Sequence, residues 1–297
     1  MDEYLKKVSG KSLDEYLEIV SGMTKLRSNE NPKKELMLWE NKSKKLQCFW
    51  APFDYINPNA KIILVGITPG SVQMNIALNS AIDSSKAGHD KNSILLKAKR
   101  AASFSGGKTR NNLINILDRT GYQEALGISS SIELWEASHN HLVQFCSLLK
   151  YPIFKNGKNY NDEPSLEIPR LEEMIDEFIK DLEAFNPDAI LIPLGDKVSS
   201  LITKLNNKKR IPQKLFIIDG KVVAPPHPSS ANNESIKLLL EDIYPEEEAY
   251  EKQMYEAYVI DKSKKGEEPQ DEISYKKARH KRWDSMHFVR RAYKLSV

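Results

Sequence analysis

The run Ile62-Ile63-Leu64-Val65, closed by Gly66, limits what this chain can fold into more than any other feature. It has no polar residue to turn toward water, so it reads as a strand buried on both faces, as in parallel sheets covered by helices. Leu142-Val143-Gln144-Phe145-Cys146 and Ala189-Ile190-Leu191-Ile192 predict a second and a third such strand. Leu215-Phe216-Ile217-Ile218, with Val222-Val223, reads either as a fourth strand or as a small hairpin across Asp219-Gly220. Between these runs lie helical patterns. A long polar segment reaches to about residue 125. Pro169 opens a helix whose stripe is Leu171, Met174, Ile175, Phe178, Ile179, Leu182 and Phe185. A shorter helix carries Val198, Leu201, Ile202 and Leu205. Strands alternating with helices predict a three-layer α/β/α fold around a central, mainly parallel four-stranded sheet. In such sheets chemistry gathers outside the carboxyl ends of the strands.

The flanks read differently. Residues 1–45 predict an N-terminal helical segment, residues 46–245 the α/β domain, and 246–297 a linker and a basic helical extension. In the extension, Lys276, Lys277, Arg279, Lys281, Arg282, Arg290 and Arg291 interleave with Trp283, Phe288 and Tyr293. This is either a solvated helix packing its aromatics or a surface for DNA phosphates. The net charge of +3 is too small to decide between them. Cys48 and Cys146 are too few for a disulfide framework or an iron–sulfur cluster. His139, His141 and Cys146 match no common zinc spacing, so no metal and no cofactor are expected. The charged N-terminus has no signal-peptide core, and no apolar run approaches the roughly 20 residues of a membrane helix. A cytoplasmic protein without a membrane partner is the expectation.

Two loops stand out, each at a strand end. Gly66-Ile67-Thr68-Pro69-Gly70 is a tight turn able to bring backbone and one small hydroxyl close to a ligand. Pro225-Pro226-His227-Pro228-Ser229-Ser230-Ala231-Asn232-Asn233 holds a histidine rigidly between prolines, followed by hydroxyls suited to a helix cap. Together they resemble the signature motifs of the uracil-DNA glycosylase superfamily, whose mismatch-specific and single-strand-selective branches carry Gly-x-Asn-Pro-Gly. Ile192-Pro193-Leu194-Gly195 resembles the family's third strand and following turn, and the similarity spans about residues 45–240.

The resemblance implies a monofunctional DNA glycosylase that flips a base and cuts its N-glycosidic bond, leaving an abasic site. His227 would donate a hydrogen bond to the departing anionic base. Ser229, Ser230 and Asn232 would hold DNA, and Gly66, Ile67, Pro69, Gly70 and Gln73 would shape the base pocket. Phe154, Asn159 and Tyr160 are the candidates for stacking on the base and reading its edge, against the plainer reading of a surface turn. Thr68 is a departure: relatives place Asp or Asn there to orient water, and a hydroxyl is no general base at neutral pH. Gln73 or Asn75 could hold the water instead. Gly70 replaces the tyrosine with which the most uracil-selective branch blocks 5-substituted bases. An open pocket there suits a hypermodified pyrimidine, such as glucosylated hydroxymethylcytosine in phage DNA, and a role in antiviral defence. Ser103 to Arg110 looks like a P-loop but lacks glycine at position 102 and a preceding strand, leaving Lys108 and Arg110 as phosphate contacts. The alternatives are a uracil or mismatch repair glycosylase, a non-catalytic binder of modified DNA, and an α/β enzyme acting on a small nucleoside.

Overall fold

Every side chain of the central strand is buried, and alternate residues enter different cores. The computed structural model describes residues 2–27, 30–240 and 248–279. In chain order it holds α1 (Asp2–Ser9), α2 (Leu13–Ser21), β1 (Met37–Asn41), β2 (Leu46–Phe49) and β3 (Ile62–Gly66). Then come α3 (Ser71–Lys86), α4 (Lys91–Ala102), α5 (Thr109–Thr120), α6 (Tyr122–Leu126) and β4 (Val143–Ser147). The hairpin strands β5 (Ile153–Lys155) and β6 (Lys158–Asn159) precede α7 (Pro169–Ala184), β7 (Ile190–Pro193) and α8 (Asp196–Asn207). A second hairpin, β8 (Ile217–Ile218) and β9 (Lys221–Val222), leads to α9 (Asn233–Leu240) and α10 (Glu248–Lys264).

The central sheet is parallel in the order β4-β3-β7. Ile63, Val65 and Leu191 pack with α3, α4, α7 and α8, while Ile62, Leu64 and Ile192 pack with α5 and Tyr122. Helices thus cover both faces, which is why β3 tolerates no polar residue. The expected α/β class is the observed one, but the sheet has three strands and not four. The missing strand begins and is interrupted. Lys214 pairs beside Ile190, and the Leu191 N–H donates to the Lys214 carbonyl at 2.9 Å. Asp219 (φ 50°) and Gly220 (φ 72°) then turn the chain back into the β8–β9 hairpin. The chain regains the edge of β7 only where the Gly195 N–H reaches the Pro225 carbonyl at 2.9 Å. Pro225 and Pro226 have no N–H of their own to continue a ladder.

A second, antiparallel sheet, in the order β1-β2-β5-β6, was not expected. It overturns the helical reading of residues 22–45, since β1 and its tight turn occupy 37–45. The N-terminal segment also belongs to the main core: Tyr16 stacks on Trp50 with centroids 5.0 Å apart, and Asn79 holds both backbone groups of Leu26 at 2.8 Å. At the other end α10 occupies part of the stretch read as a linker, and Tyr258 stacks on Tyr275. The expected basic helix lies outside the described residues from His280 onward, including Trp283, Arg290 and Arg291. No helix among the described residues is long and apolar enough to cross a membrane.

Candidate functional site

Both loops singled out in the sequence sit at the carboxyl ends of the parallel strands, and each is pinned by backbone and amide hydrogen bonds. The carbonyls of Gly66 and Ile67 accept from the N–H groups of Leu148 and Leu149, both at 2.9 Å. Thr68 donates its hydroxyl to the Tyr151 carbonyl at 2.9 Å. The Gly70 N–H donates to Gln73 Oε1 at 3.1 Å, and the Ser71 N–H to Asn159 Oδ1 at 2.9 Å. Across the cavity, Asn112 Nδ2 donates to the Pro228 carbonyl at 2.9 Å and so ties the second loop to α5.

His227 rests on Gly195, whose φ of 88° suits glycine and whose missing side chain leaves the space for the imidazole stem. A Cβ at Gly195 would lie 2.9 Å from His227 Cβ. The Ser229 N–H donates to His227 Nδ1 at 3.2 Å, which places the ring proton on Nε2. Loss of water around the ring lowers its pKa below the usual histidine value. At neutral pH His227 is therefore a neutral imidazole with its donor fixed.

The two loops border a cavity of about 750 Å³. Gly66, Ile67, Thr68, Pro69, Gly70 and Gln73 line it from one side. His227, Ser229 and Asn232 line it from the other, and Asn159 and Tyr160 contribute from the β6 end. Tyr160 donates to the Glu163 carbonyl at 3.1 Å, and burial pushes its hydroxyl up to about 12.

Several expectations are corrected. Phe154 does not face the cavity: it is 5% exposed and packs edge-on against Phe49, and the aromatics on the wall are Phe53, Phe104, Phe145 and Tyr160. Arg110 is a strut. Its guanidinium donates to the carbonyls of Ala101 and Ser103 at 2.7 and 2.9 Å and lies over Trp135. The expectation for Lys108 and Ser230 is not among those corrected: both are exposed outside the cavity lining, Lys108 just before α5, where groups reaching for phosphates can lie. Asn75 is fully buried outside the cavity lining and holds the carbonyls of Arg27 and Glu30, so it is not placed to hold the attacking water. The pocket is not open beside Gly70 either. Asn159 fills that place, with Nδ2 3.0 Å from where a Cβ would stand.

The sequence reading missed the buried end of the cavity. Lys99 of α4, Cys146 of β4, Lys150 just after β4, and Asp181 of α7 meet there. Lys150 and Asp181 form an ion pair at 2.6 Å, with side chains only 11% and 14% exposed. Lys99 is 7% exposed, donates to the Tyr55 carbonyl at 2.6 Å, and is lowered to about 8 by burial. Burial also pushes the Cys146 thiol up to about 12. Behind them Tyr151 donates to the buried carboxyl of Asp54 at 2.5 Å, and burial raises that carboxyl above its usual range. One signal was there to find: Lys99 falls on the apolar stripe Leu95, Ala98 and Ala102, and Asp181 beside Phe178 and Leu182. Asp196, at the start of α8, is an exposed carboxylate on the same wall. Among the described residues no group of three or more His, Cys, Asp or Glu is placed to hold a metal.

Over 196 residues the chain is 33% identical to a Bacillus subtilis (strain 168) protein named Uncharacterized protein YoxB, a match taking in 65% of this chain and 74% of that one. The chain belongs to the YoxB family. No protein-family profile matches it, and no solved structure does.

Proposed function

We propose that this YoxB-family chain is a DNA glycosylase of the uracil-DNA glycosylase type, acting on a flipped pyrimidine. The observation that carries the reading is His227, a neutral imidazole whose only ring proton sits on Nε2, on the cavity wall facing the Gly66–Gly70 loop. When the C1′–N bond breaks, its electron pair stays on the base. A fixed neutral donor stabilises that anion more than it stabilises the intact nucleotide. Water then adds to C1′ and gives up a proton. Thr68 has committed its own hydrogen to Tyr151 and can only accept a hydrogen bond from that water. The proton needs a base. Asp181 is held on both oxygens by Lys150, whereas Asp196 is the exposed carboxylate on the cavity wall, and we assign it that role. Asn159 keeps its Nδ2 hydrogens for the edge of the base, since its oxygen is used by Ser71. Ser229 and Asn232 border the opening, where the flanking phosphates of DNA would lie.

A cavity of about 750 Å³ lies within the roughly 300–1,000 Å³ of pockets that take drug-sized ligands, so it has room for more than a bare pyrimidine ring. That favours a hypermodified base, such as glucosylated hydroxymethylcytosine of phage DNA, and a role in antiviral defence, over repair of uracil. A second reading, a non-catalytic binder of modified DNA, rests on Thr68, which supplies no base. One experiment separates them. Alkali-labile sites should form in at least one DNA of a panel holding uracil, 5-hydroxymethylcytosine and glucosylated phage cytosine, and should vanish in His227→Ala. Binding without any breaks selects the binder.

A further inference from the structure

The buried end of the cavity has a composition that holding the fold together does not explain. An ammonium taken out of water is costly unless it is paired and hydrogen-bonded. Lys150 meets that condition through both oxygens of Asp181. Lys99 does not. Its hydrogen-bond partner is the Tyr55 carbonyl, which also accepts from Gln144 Nε2 at 3.2 Å, and no carboxylate lies within ion-pair distance of it among the described residues. An ammonium has three N–H donors, so two remain on a side chain that lines the cavity. The carboxyls that act on its charge have partners of their own: Asp181 is held by Lys150, and Asp54 accepts from the Tyr151 hydroxyl. What is left is a donor-rich recess at the end of a cavity whose mouth carries His227 and Asn159.

We infer that this recess, formed by Lys99 with the Lys150–Asp181 pair, is a subsite for an oxygen-rich substituent carried by the base. The inference rests on the glycosylase reading for how the base arrives, and it adds which end of the base is read and by what. Lys99 donates two hydrogen bonds to oxygens of the substituent, which replace the water the ammonium lost. A hydroxylated substituent and a carboxylate share this acceptor chemistry. The bare ring of uracil or cytosine does not extend into the recess, so it leaves Lys99 unsatisfied. The closed side at Gly70, which Asn159 fills, agrees with this route, and Lys99 lines the same cavity.

Two measurements on the full chain test it. Single-turnover base release is followed on duplexes carrying one uracil, cytosine, 5-hydroxymethylcytosine, glucosylated 5-hydroxymethylcytosine or 5-carboxylcytosine. At least one oxygen-substituted base should leave ten times faster than the bare ones, and this ratio should fall at least tenfold in Lys99→Met. The faster arm tells hydroxyl from carboxylate. A ratio unchanged in Lys99→Met overturns the subsite while the glycosylase reading stands. The second measurement needs neither catalysis nor a folded variant: wild-type protein is titrated with the free nucleosides of the same bases. A substituted nucleoside should bind at least tenfold tighter than deoxycytidine, and equal affinities would overturn the subsite. Preferential binding with no base released from any duplex keeps the recess and removes the enzyme.

Discussion

At its mouth the cavity is shaped by backbone, and at its buried end by long charged side chains. The mouth consists of two contiguous loops with glycines and prolines at turns, their carbonyls and N–H groups fixed by neighbours such as Leu148, Asn112 and Asn159. The buried end gathers Lys99, Cys146, Lys150 and Asp181 from two helices and the end of one strand. A mouth of that kind holds a donor, His227, in one place with little reorganisation when charge develops. The buried end holds charge where water is scarce, which suits recognition of a polar group. The contrast suggests a division of labour: chemistry at the mouth, choice of base at the depth.

Substitutions can break that division, beginning with the largest effect. His227→Ala should slow base release about a thousandfold, near 4 kcal/mol of transition-state stabilisation, with DNA affinity retained. Single-turnover rates beside a binding titration check this. Lys150→Met should leave the Asp181 carboxylate unpaired and cost about 3 kcal/mol of stability in urea unfolding. Adding Asp181→Leu should recover most of that loss, which a purely additive effect would not do.

Lys99→Met should have the opposite sign, stabilising the fold by about 2 kcal/mol at pH 7, because it removes a buried charge and leaves the Tyr55 carbonyl its bond from Gln144. The pH dependence follows from the lysine being lowered to about 8 in the folded chain. Between pH 8 and 10.5 the unfolded chain holds a proton that the folded chain has released, so the contribution of Lys99 to stability rises with pH across that window. The advantage of Lys99→Met should shrink there, as urea midpoints at pH 7, 8.5 and 10 would reveal. A constant advantage would mean that Lys99 carries no charge penalty.

Asp196→Asn should slow release about tenfold without altering nucleoside affinity, a modest figure for a base because the carboxylate is exposed. The smallest effect should come from Thr68→Val, about 1 kcal/mol of stability for the lost bond to Tyr151 and only a few-fold in rate. A thousandfold loss in Thr68→Val would move the water-handling role to Thr68.

The same contrast explains what could be read in advance. The parallel strands were legible because a strand buried on both faces is apolar without interruption, as Ile62 to Val65 are. The mouth was legible because its residues are neighbours in sequence and sit at strand ends. The antiparallel sheet was not: β5 and β6 have three and two residues, too few for an alternating pattern to register. Nor was the recess, whose members at 99, 146, 150 and 181 are joined only by the fold. The fourth strand failed at Asp219-Gly220, a turn strong enough to fold a two-residue hairpin out of the sheet edge. Phe154 was assigned to the base by its place in the sequence, yet a strand alternates its faces, and this ring falls on the side of Phe49.

The central claim is that the chain hydrolyses the bond between a base and its sugar, and base release in water enriched in oxygen-18 tests it most directly. Mass spectrometry of DNA carrying the preferred base should find one heavy oxygen on the abasic sugar and none on the free base, with neither product formed by His227→Ala. Heavy oxygen on a base still attached to DNA, or no free base from any substrate, would contradict the account.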